Sequence, residues 1–229
     1  MTRTENEQRI RDQFGDSRER AINLASRFVD DAEVVVDQAA EIFDSMIPDM
    51  AYVDNPDSPM ASSVFICCGS LALFLALKPR GVDAHQYGGA LLDSMRSTPP
   101  TAPETTDDGT SPQERFSRFI ASGEASQSTA SPGEFVFEAL VGDRSEYDWG
   151  MNIKSCAICH AFSKYDAMDL VPYMCATDDL MSDIGAQGLR RTGTIALGAH
   201  QCDFRYKSGG EPLRLVGQYP DRIRDPGQE

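Results

Sequence analysis

The sequence predicts an α+β fold in which N-terminal helices pack on a small, mainly antiparallel sheet with C-terminal helices. Apolar residues recur at helical steps of three and four early in the chain, whereas the alternation typical of strands begins only after residue 133. A Pro/Thr/Asp-rich stretch separates the two patterns. The 229 residues, 41% hydrophobic and 25% charged, have an ordinary globular composition and suit one compact domain overall.

Residues 1–96 are predicted to form a helical region. Apolar residues at steps of three and four over 16–47 predict one long amphipathic helix. The next apolar stretch, 58–77, has no charge and reaches the length of a membrane span, but proline, glycine and serine interrupt it. It is therefore predicted to be a buried core helix over about 62–78, followed by a shorter helix over 83–96.

Residues 97–133 are predicted to be a linker and a short helix. The Pro/Thr/Asp-rich stretch 97–112 has too little apolar content to pack into a core. Phe116, Phe119 and Ile120 then mark one side of a short amphipathic helix, which a loop of small residues is expected to end.

Residues 134–229 are predicted to be the α+β region. Alternating apolar residues over 135–141 and 147–153, separated by Gly-Asp-Arg-Ser, predict a β-hairpin. The remaining predicted elements are one or two helices across 157–186 and two strands, near 188–196 and 201–207.

The charge balance limits the classes of partner. Acidic residues outnumber basic ones 36 to 21, which gives a net charge of −15 and argues against nucleic acid. The polar N-terminus, MTRTENEQRI, lacks the apolar core of a secretory signal, so a cytoplasmic protein without membrane contact is expected. The expected partner is a small-molecule substrate, and assembly into a homo-oligomer is left open.

The cysteines are the most informative residues. They lie at positions 67, 68, 156, 159, 175 and 202. In a reducing cytoplasm they are expected to be thiols, not a disulfide framework. The first two fall within the predicted core helix, where packing explains them, whereas the other four cluster in the last third of the chain.

Two cofactor hypotheses follow from this cluster. Cys156-Ala-Ile-Cys159-His160 spells the CxxCH attachment signature of c-type haem, but haem attachment normally follows export, so haem is not expected. Zinc stays open, because Cys156, Cys175 and Cys202 with a carboxylate or histidine would form an irregular four-ligand site. No cofactor is expected, and zinc is the alternative.

A thiol–carboxylate pair is the third hypothesis. In the predicted helix that begins near Pro172, Cys175 and Asp178 are three residues apart and share one side. A carboxylate raises the pKa of a neighbouring thiol, so Asp178 suits a general base or an amidine-binding anion better than a thiolate activator. The alternative is that Cys175 is a small core residue and Asp178 a solvated charge.

Arg191 and His200 are the remaining candidates. Arg190 and Arg191 open a predicted strand, and whichever faces the covered side could bind a substrate carboxylate bidentately. The alternative is a solvent-facing pair. His200 lies in the predicted turn before Cys202, where either a catalytic role or a polar surface position is compatible with the sequence. No phosphate-binding glycine loop, HExxH or GxSxG motif is present.

Residues from about 135 to 206 resemble the L-2-amino-thiazoline-4-carboxylic acid hydrolase family. The matching pieces are a cysteine that opens a helix at Cys156, a C-x-x-D-x-x-M motif at 175–181, and R-T-x-T-I-A-x-G-x-x-x-C-x-F-R-Y at 191–206. The chain departs from the family pattern at Asp166, where relatives often carry glycine, and in having Cys159-His160.

The resemblance implies hydrolysis of a small cyclic amidine or isothiourea that bears a carboxylate. It implies that Asp178 pairs with the amidinium and that Arg191 holds the substrate carboxylate. Cys175 or Cys202 would either be the nucleophile or line the substrate site. Cys156 and His200 would complete the substrate site. Two alternatives remain, since the motif G-x-x-x-C-x-F at 198–204 also resembles the 4-vinyl reductase type of domain. One is a non-catalytic small-molecule or metal-binding sensor, and the other is recruitment to a different biosynthetic step.

Overall fold

The computed structural model describes residues 1–97 and 111–213 and confirms the α+β class. Most of the predicted linker, 98–110, lies outside the described residues. The described helices are α1 (Arg3–Asp16), α2 (Arg18–Ala25), α3 (Ala32–Met46), α4 (Ala61–Leu77), α5 (Ala84–Ser97), α6 (Pro112–Thr129), α7 (Ala157–Ser163) and α8 (Val171–Ile184). The described strands are β1 (Val136–Val141), β2 (Trp149–Ser155), β3 (Leu189–Arg190) and β4 (Cys202–Tyr206).

The chain divides into two compact units. The first comprises residues 1–91 and 157–170, and the second comprises 92–156 and 171–229. The first unit is therefore built from helices of both the N-terminal region and the later part of the chain. The sheet belongs entirely to the second unit.

Helix α4 is the core of the first unit and confirms the helix predicted over 62–78. It packs against α3, and its buried residues include Phe65, Leu71 and Phe74. By length and composition the segment Ala61–Arg80 would also suffice to cross a membrane, and 61% of its most apolar window is buried within the protein. The helix predicted over 83–96 is confirmed as α5.

The single long helix predicted over 16–47 is wrong. The chain forms α2 and α3 instead, with a turn between Ala25 and Ala32. Asp30 and Asp31 directly precede α3, and carboxylates are favoured at the N-terminus of a helix, where they complement its dipole. Apolar spacing alone missed this break because the turn residues Phe28 and Val29 continue the periodic pattern.

Helix α1 was not predicted, because its sequence is polar and buries only Asn6 and Ile10. The signal for it was the capping box at its start. The Thr2 side chain accepts a hydrogen bond from the Glu5 backbone N–H, and the Glu5 carboxylate accepts one from the Thr2 backbone N–H.

The second unit contains a four-stranded sheet in the order β1-β2-β4-β3, with every pair antiparallel. The hairpin predicted from alternation is confirmed as β1 and β2, and the strand near 201–207 is confirmed as β4. Phe137, Ile153 and Cys202 are aligned across three strands, so they share one face of the sheet. The packing of N-terminal helices on this sheet stays a prediction.

Helix α6 covers this face and is longer than the short helix predicted around 116–120. It begins with a Ser111–Glu114 capping box and continues through the small residues that had indicated a loop. Those residues permit close packing, since a Cβ at Gly123 would lie only 3.0 Å from the backbone nitrogen of Ala139. Phe119 packs against Phe137, with ring centroids 5.2 Å apart.

The strand predicted over 188–196 is mostly wrong, because β3 ends at Arg190. Beyond it the carboxylate of Asp203 accepts hydrogen bonds from the backbone N–H groups of Thr192 at 2.9 Å and Gly193 at 3.0 Å. These bonds satisfy donors that a longer strand would use in the ladder. The chain therefore turns away from the sheet before reaching β4.

Candidate functional site

The antiparallel sheet brings two of the clustered cysteines to one edge. Ile153 of β2 lies opposite Cys202, the first residue of β4. Cys156 follows directly after β2 and lies close enough to Cys202 to raise the pKa of the Cys202 thiol. The strand alternation and the antiparallel pairing together produce this arrangement.

Helix α8 supplies the other half of the site. Cys175, Asp178 and Asp179 are spaced at three and four residues and therefore lie on one side of the helix. Five of the six predicted site residues come together at this place: Cys156, Cys175, Asp178, Arg191 and Cys202. His200 is exposed, and the described residues make no hydrogen bond to its side chain.

The guanidinium of Arg191 is the centre of the cluster. Its side chain is fully buried, and Nη1 donates a hydrogen bond to Oδ2 of Asp178 at 2.9 Å. Nη2 donates to Oδ2 of Asp179 at 3.0 Å and to the backbone carbonyl of Cys175 at 2.6 Å. The guanidinium also lies over the Phe204 ring, 5.0 Å from its centroid. Two carboxylates, a backbone carbonyl and an aromatic ring thus stabilise the buried positive charge.

Asp178 is the accessible carboxylate of the pair. Its side chain is 43% exposed, whereas that of Asp179 is 14% exposed. Arg191 donates only to Oδ2, so Oδ1 of Asp178 has no hydrogen-bond donor among the described residues. Desolvation by the surrounding protein raises the pKa of Asp178, against the opposing effect of Arg191. Asp178 is therefore partly exposed, while the protein around it disfavours its charged form.

The thiols beside Asp178 are poor nucleophiles in this environment. Desolvation raises the pKa of Cys175, and the negative charge of Asp178 raises it further, while Arg191 only partly opposes these effects. Burial raises the pKa of Cys202 to about 11, although the Ile195 backbone N–H donates to its Sγ at 3.2 Å. Both thiols are therefore neutral near pH 7.

Two residues of this site were not among the predicted ones. Asp179 shares Arg191 with Asp178, and its spacing of four residues from Cys175 was the available signal. Tyr206 stacks on Trp149 with ring centroids 4.1 Å apart. Burial raises the pKa of Tyr206, and the charge of Asp178 raises it further. Its position on the same strand face as Cys202 was the signal for Tyr206.

The described residues do not include a group of three or more histidine, cysteine or acidic side chains arranged to hold a metal ion. All six cysteines lie in the described part of the chain and are thiols. Cys156 belongs to the second unit, whereas Cys159 and the exposed His160 lie on α7 in the first. The zinc alternative and the CxxCH signature thus gain no support from the arrangement of these side chains.

Residues 103–206 match the family model described as L-2-amino-thiazoline-4-carboxylic acid hydrolase. The family resemblance is confirmed. The match to this hydrolase family covers α6, the whole sheet, α8 and every residue of the site described above, while α1 to α5 precede it. No curated protein and no solved structure matches the chain.

The first of the two departures noted in the sequence, Asp166, has a structural explanation. Asp166 adopts a positive φ of 50°, in the left-handed region that glycine occupies most readily. Aspartate is among the few other residues that tolerate this conformation. Asp166 therefore permits the backbone turn that follows α7.

Proposed function

We propose that this chain is a hydrolase that opens a small cyclic amidine or isothiourea bearing a carboxylate, of the aminothiazoline-carboxylate type. The observation that carries the proposal is the partly exposed carboxylate of Asp178, to which Arg191 donates at Oδ2, while Oδ1 has no donor among the described residues. The family match supports the reaction class.

The charge of the site suits a cationic ring. Arg191 contributes one positive charge and Asp178 and Asp179 one negative charge each, so a net negative charge remains, and Asp178 is the carboxylate exposed to solvent. A protonated amidine or isothiourea is a planar, delocalised cation with N–H donors. Such a cation would pair with the desolvated carboxylate of Asp178 through charge-assisted hydrogen bonds.

Asp178 can also accept a proton and return it during ring opening. In the proposed step a water oxygen attacks the amidinium carbon, and Asp178 takes the proton that the water releases. The tetrahedral intermediate then collapses by breaking the ring C–S or C–N bond, and the departing sulfur or nitrogen receives that proton. The product is one water heavier than the substrate. A raised pKa makes Asp178 a stronger base than an ordinary aspartate.

Water, not a thiol, is the proposed nucleophile. With a pKa of about 11, Cys202 has only about one thiolate in ten thousand molecules at pH 7. Cys175 is shifted in the same direction, and the adjacent Asp178 opposes its ionisation. We assign Cys156, Cys175 and Cys202 to the lining of the site, where their side chains pack against the substrate.

Arg191 is proposed to hold the carboxylates of α8. Its terminal nitrogens already donate to Asp178, Asp179 and the Cys175 carbonyl. The binding of a substrate carboxylate by Arg191 stays a prediction, and it would require the guanidinium to exchange one of these partners. The role of His200 in substrate binding also stays a prediction.

The test is incubation of the purified protein with L-2-amino-thiazoline-4-carboxylate, followed by mass spectrometry. We expect a product heavier by one water, formed by the wild type and by Asp183→Asn, and strongly reduced in Asp178→Asn. Asp183 is an exposed aspartate on the same helix and controls for the change of charge. No product from folded wild type would overturn the proposed substrate, and full turnover by Asp178→Asn would overturn the proposed base.

A further inference from the structure

We propose that Asp179 is a positioning residue that shares the Arg191 guanidinium with Asp178, so that Asp178 is held at one oxygen and keeps the other for substrate or water. The inference rests on the proposed role of Asp178. Asp179 itself is largely buried and is turned toward the arginine, so it is not assigned a contact with the reacting atoms.

The geometry of the guanidinium supports this division. An arginine that meets a single carboxylate commonly forms two parallel hydrogen bonds, one to each oxygen. Here Nη1 is used by Asp178 and Nη2 by Asp179 and the Cys175 carbonyl. Because Asp179 and the Cys175 carbonyl occupy the second nitrogen, Arg191 and Asp178 do not form a bidentate pair, and Oδ1 of Asp178 stays open.

Asp179 also affects how readily Asp178 accepts a proton. Its negative charge raises the pKa of Asp178, which Arg191 lowers. The titratable groups in electrostatic contact with Asp178, from α8 and from the strands that pack beside it, are Cys175, Asp179, Arg191, Cys202 and Tyr206. The two thiols and the phenol stay neutral at pH 7 because each pKa is raised. Among these groups, Asp179 is therefore the one that contributes negative charge beside Asp178.

Asp179→Asn tests the proposal through the pH dependence of kcat/KM. The variant removes the neighbouring charge and leaves Arg191 to Asp178, so the midpoint of the acidic limb should move down by about half a unit to one unit. A weaker base should also lower kcat. Asp179→Glu keeps the charge and should restore the wild-type midpoint, and Asp183→Asn should leave it unchanged.

A second readout separates this proposal from the proposed reaction. The titration of Asp178 is followed by NMR with ¹³C-carboxyl-labelled aspartate, and its signal is assigned with Asp178→Asn. The Asp178 midpoint should be lower in Asp179→Asn than in the wild type, whether or not the protein turns over an aminothiazoline. A purely structural Asp179 would change stability without moving that midpoint, and this result, in folded protein, would overturn the inference. Failure of turnover alone would overturn only the proposed function.

Discussion

Helices α4 and α8 each contain a desolvated cysteine, yet only α8 contributes to a candidate site. Burial raises the pKa of Cys68 in α4 to about 12, and the charge of Lys164 opposes this effect. Desolvation acts in the same direction on Cys175 in α8, but there Asp178 and Arg191 also act on the thiol. A desolvated thiol is thus an ordinary core feature, and the coupled charges beside it distinguish the site.

The largest expected effect comes from removing the charge at the centre of the α8 cluster. Arg191→Met leaves Asp178 and the largely buried Asp179 without their cation. We expect the free energy of unfolding, measured in urea, to fall by about 3–5 kcal/mol. Arg190→Met changes the exposed preceding residue, the last of β3, and should cost less than about 0.5 kcal/mol. Equal stabilities of the two variants would remove the distinction between α8 and a simple core helix.

The thiols of α4 and α8, and that of Cys202 in β4, should react equally slowly with an alkylating reagent. With a pKa near 11, Cys202 should be alkylated by iodoacetamide about a hundredfold more slowly than an unperturbed thiol at pH 8.5. Cys68 and Cys175 should behave in the same way, with rates that still rise above pH 9. Peptide mass spectrometry of timed samples measures each site. Rapid modification of Cys175 alone at pH 7 would indicate a nucleophilic thiol and contradict the proposal that Cys175 only lines the site.

The pH dependence of turnover should reveal the desolvated carboxylate. Asp178 must be deprotonated to act as a base, so activity is lost as the pH falls through its pKa. Because desolvation raises that pKa, the acidic limb of kcat/KM should have its midpoint above the ordinary aspartate value of about 3.9. Rates in overlapping buffers of constant ionic strength measure it. If the midpoint of the acidic limb lies at or below the ordinary aspartate value, Arg191 lowers the pKa of Asp178 more than desolvation raises it.

The local features of this site were predictable from sequence, because they depend on short-range periodicity. Alternation identified the hairpin of β1 and β2, and the strand predicted near 201–207 is β4. Helical spacing placed Cys175 and Asp178 on one side of α8. These patterns depend on which residues must be buried along a single element.

The tertiary partners were not predictable in the same way. The sequence was compatible with an Arg191 that points to solvent or to a substrate, whereas its partners lie on a helix twelve to sixteen residues earlier in the chain. β3 is short because the side chain of Asp203 replaces ladder bonds, and the residues expected to form a loop continue α6, which packs closely against Ala139 of β1 at Gly123. Each outcome depends on a contact between elements, which single-element periodicity does not contain.

The most direct test of the central claim compares the initial rates of wild type, Asp178→Asn and Cys175→Ser on L-2-amino-thiazoline-4-carboxylate under identical conditions. We expect Asp178→Asn to lose about a hundredfold or more in kcat, the usual range for removal of a general base, and Cys175→Ser to stay within about tenfold of wild type. The reverse order, with Cys175→Ser inactive and Asp178→Asn active, would contradict a carboxylate-based hydrolysis and assign the reaction to the thiol.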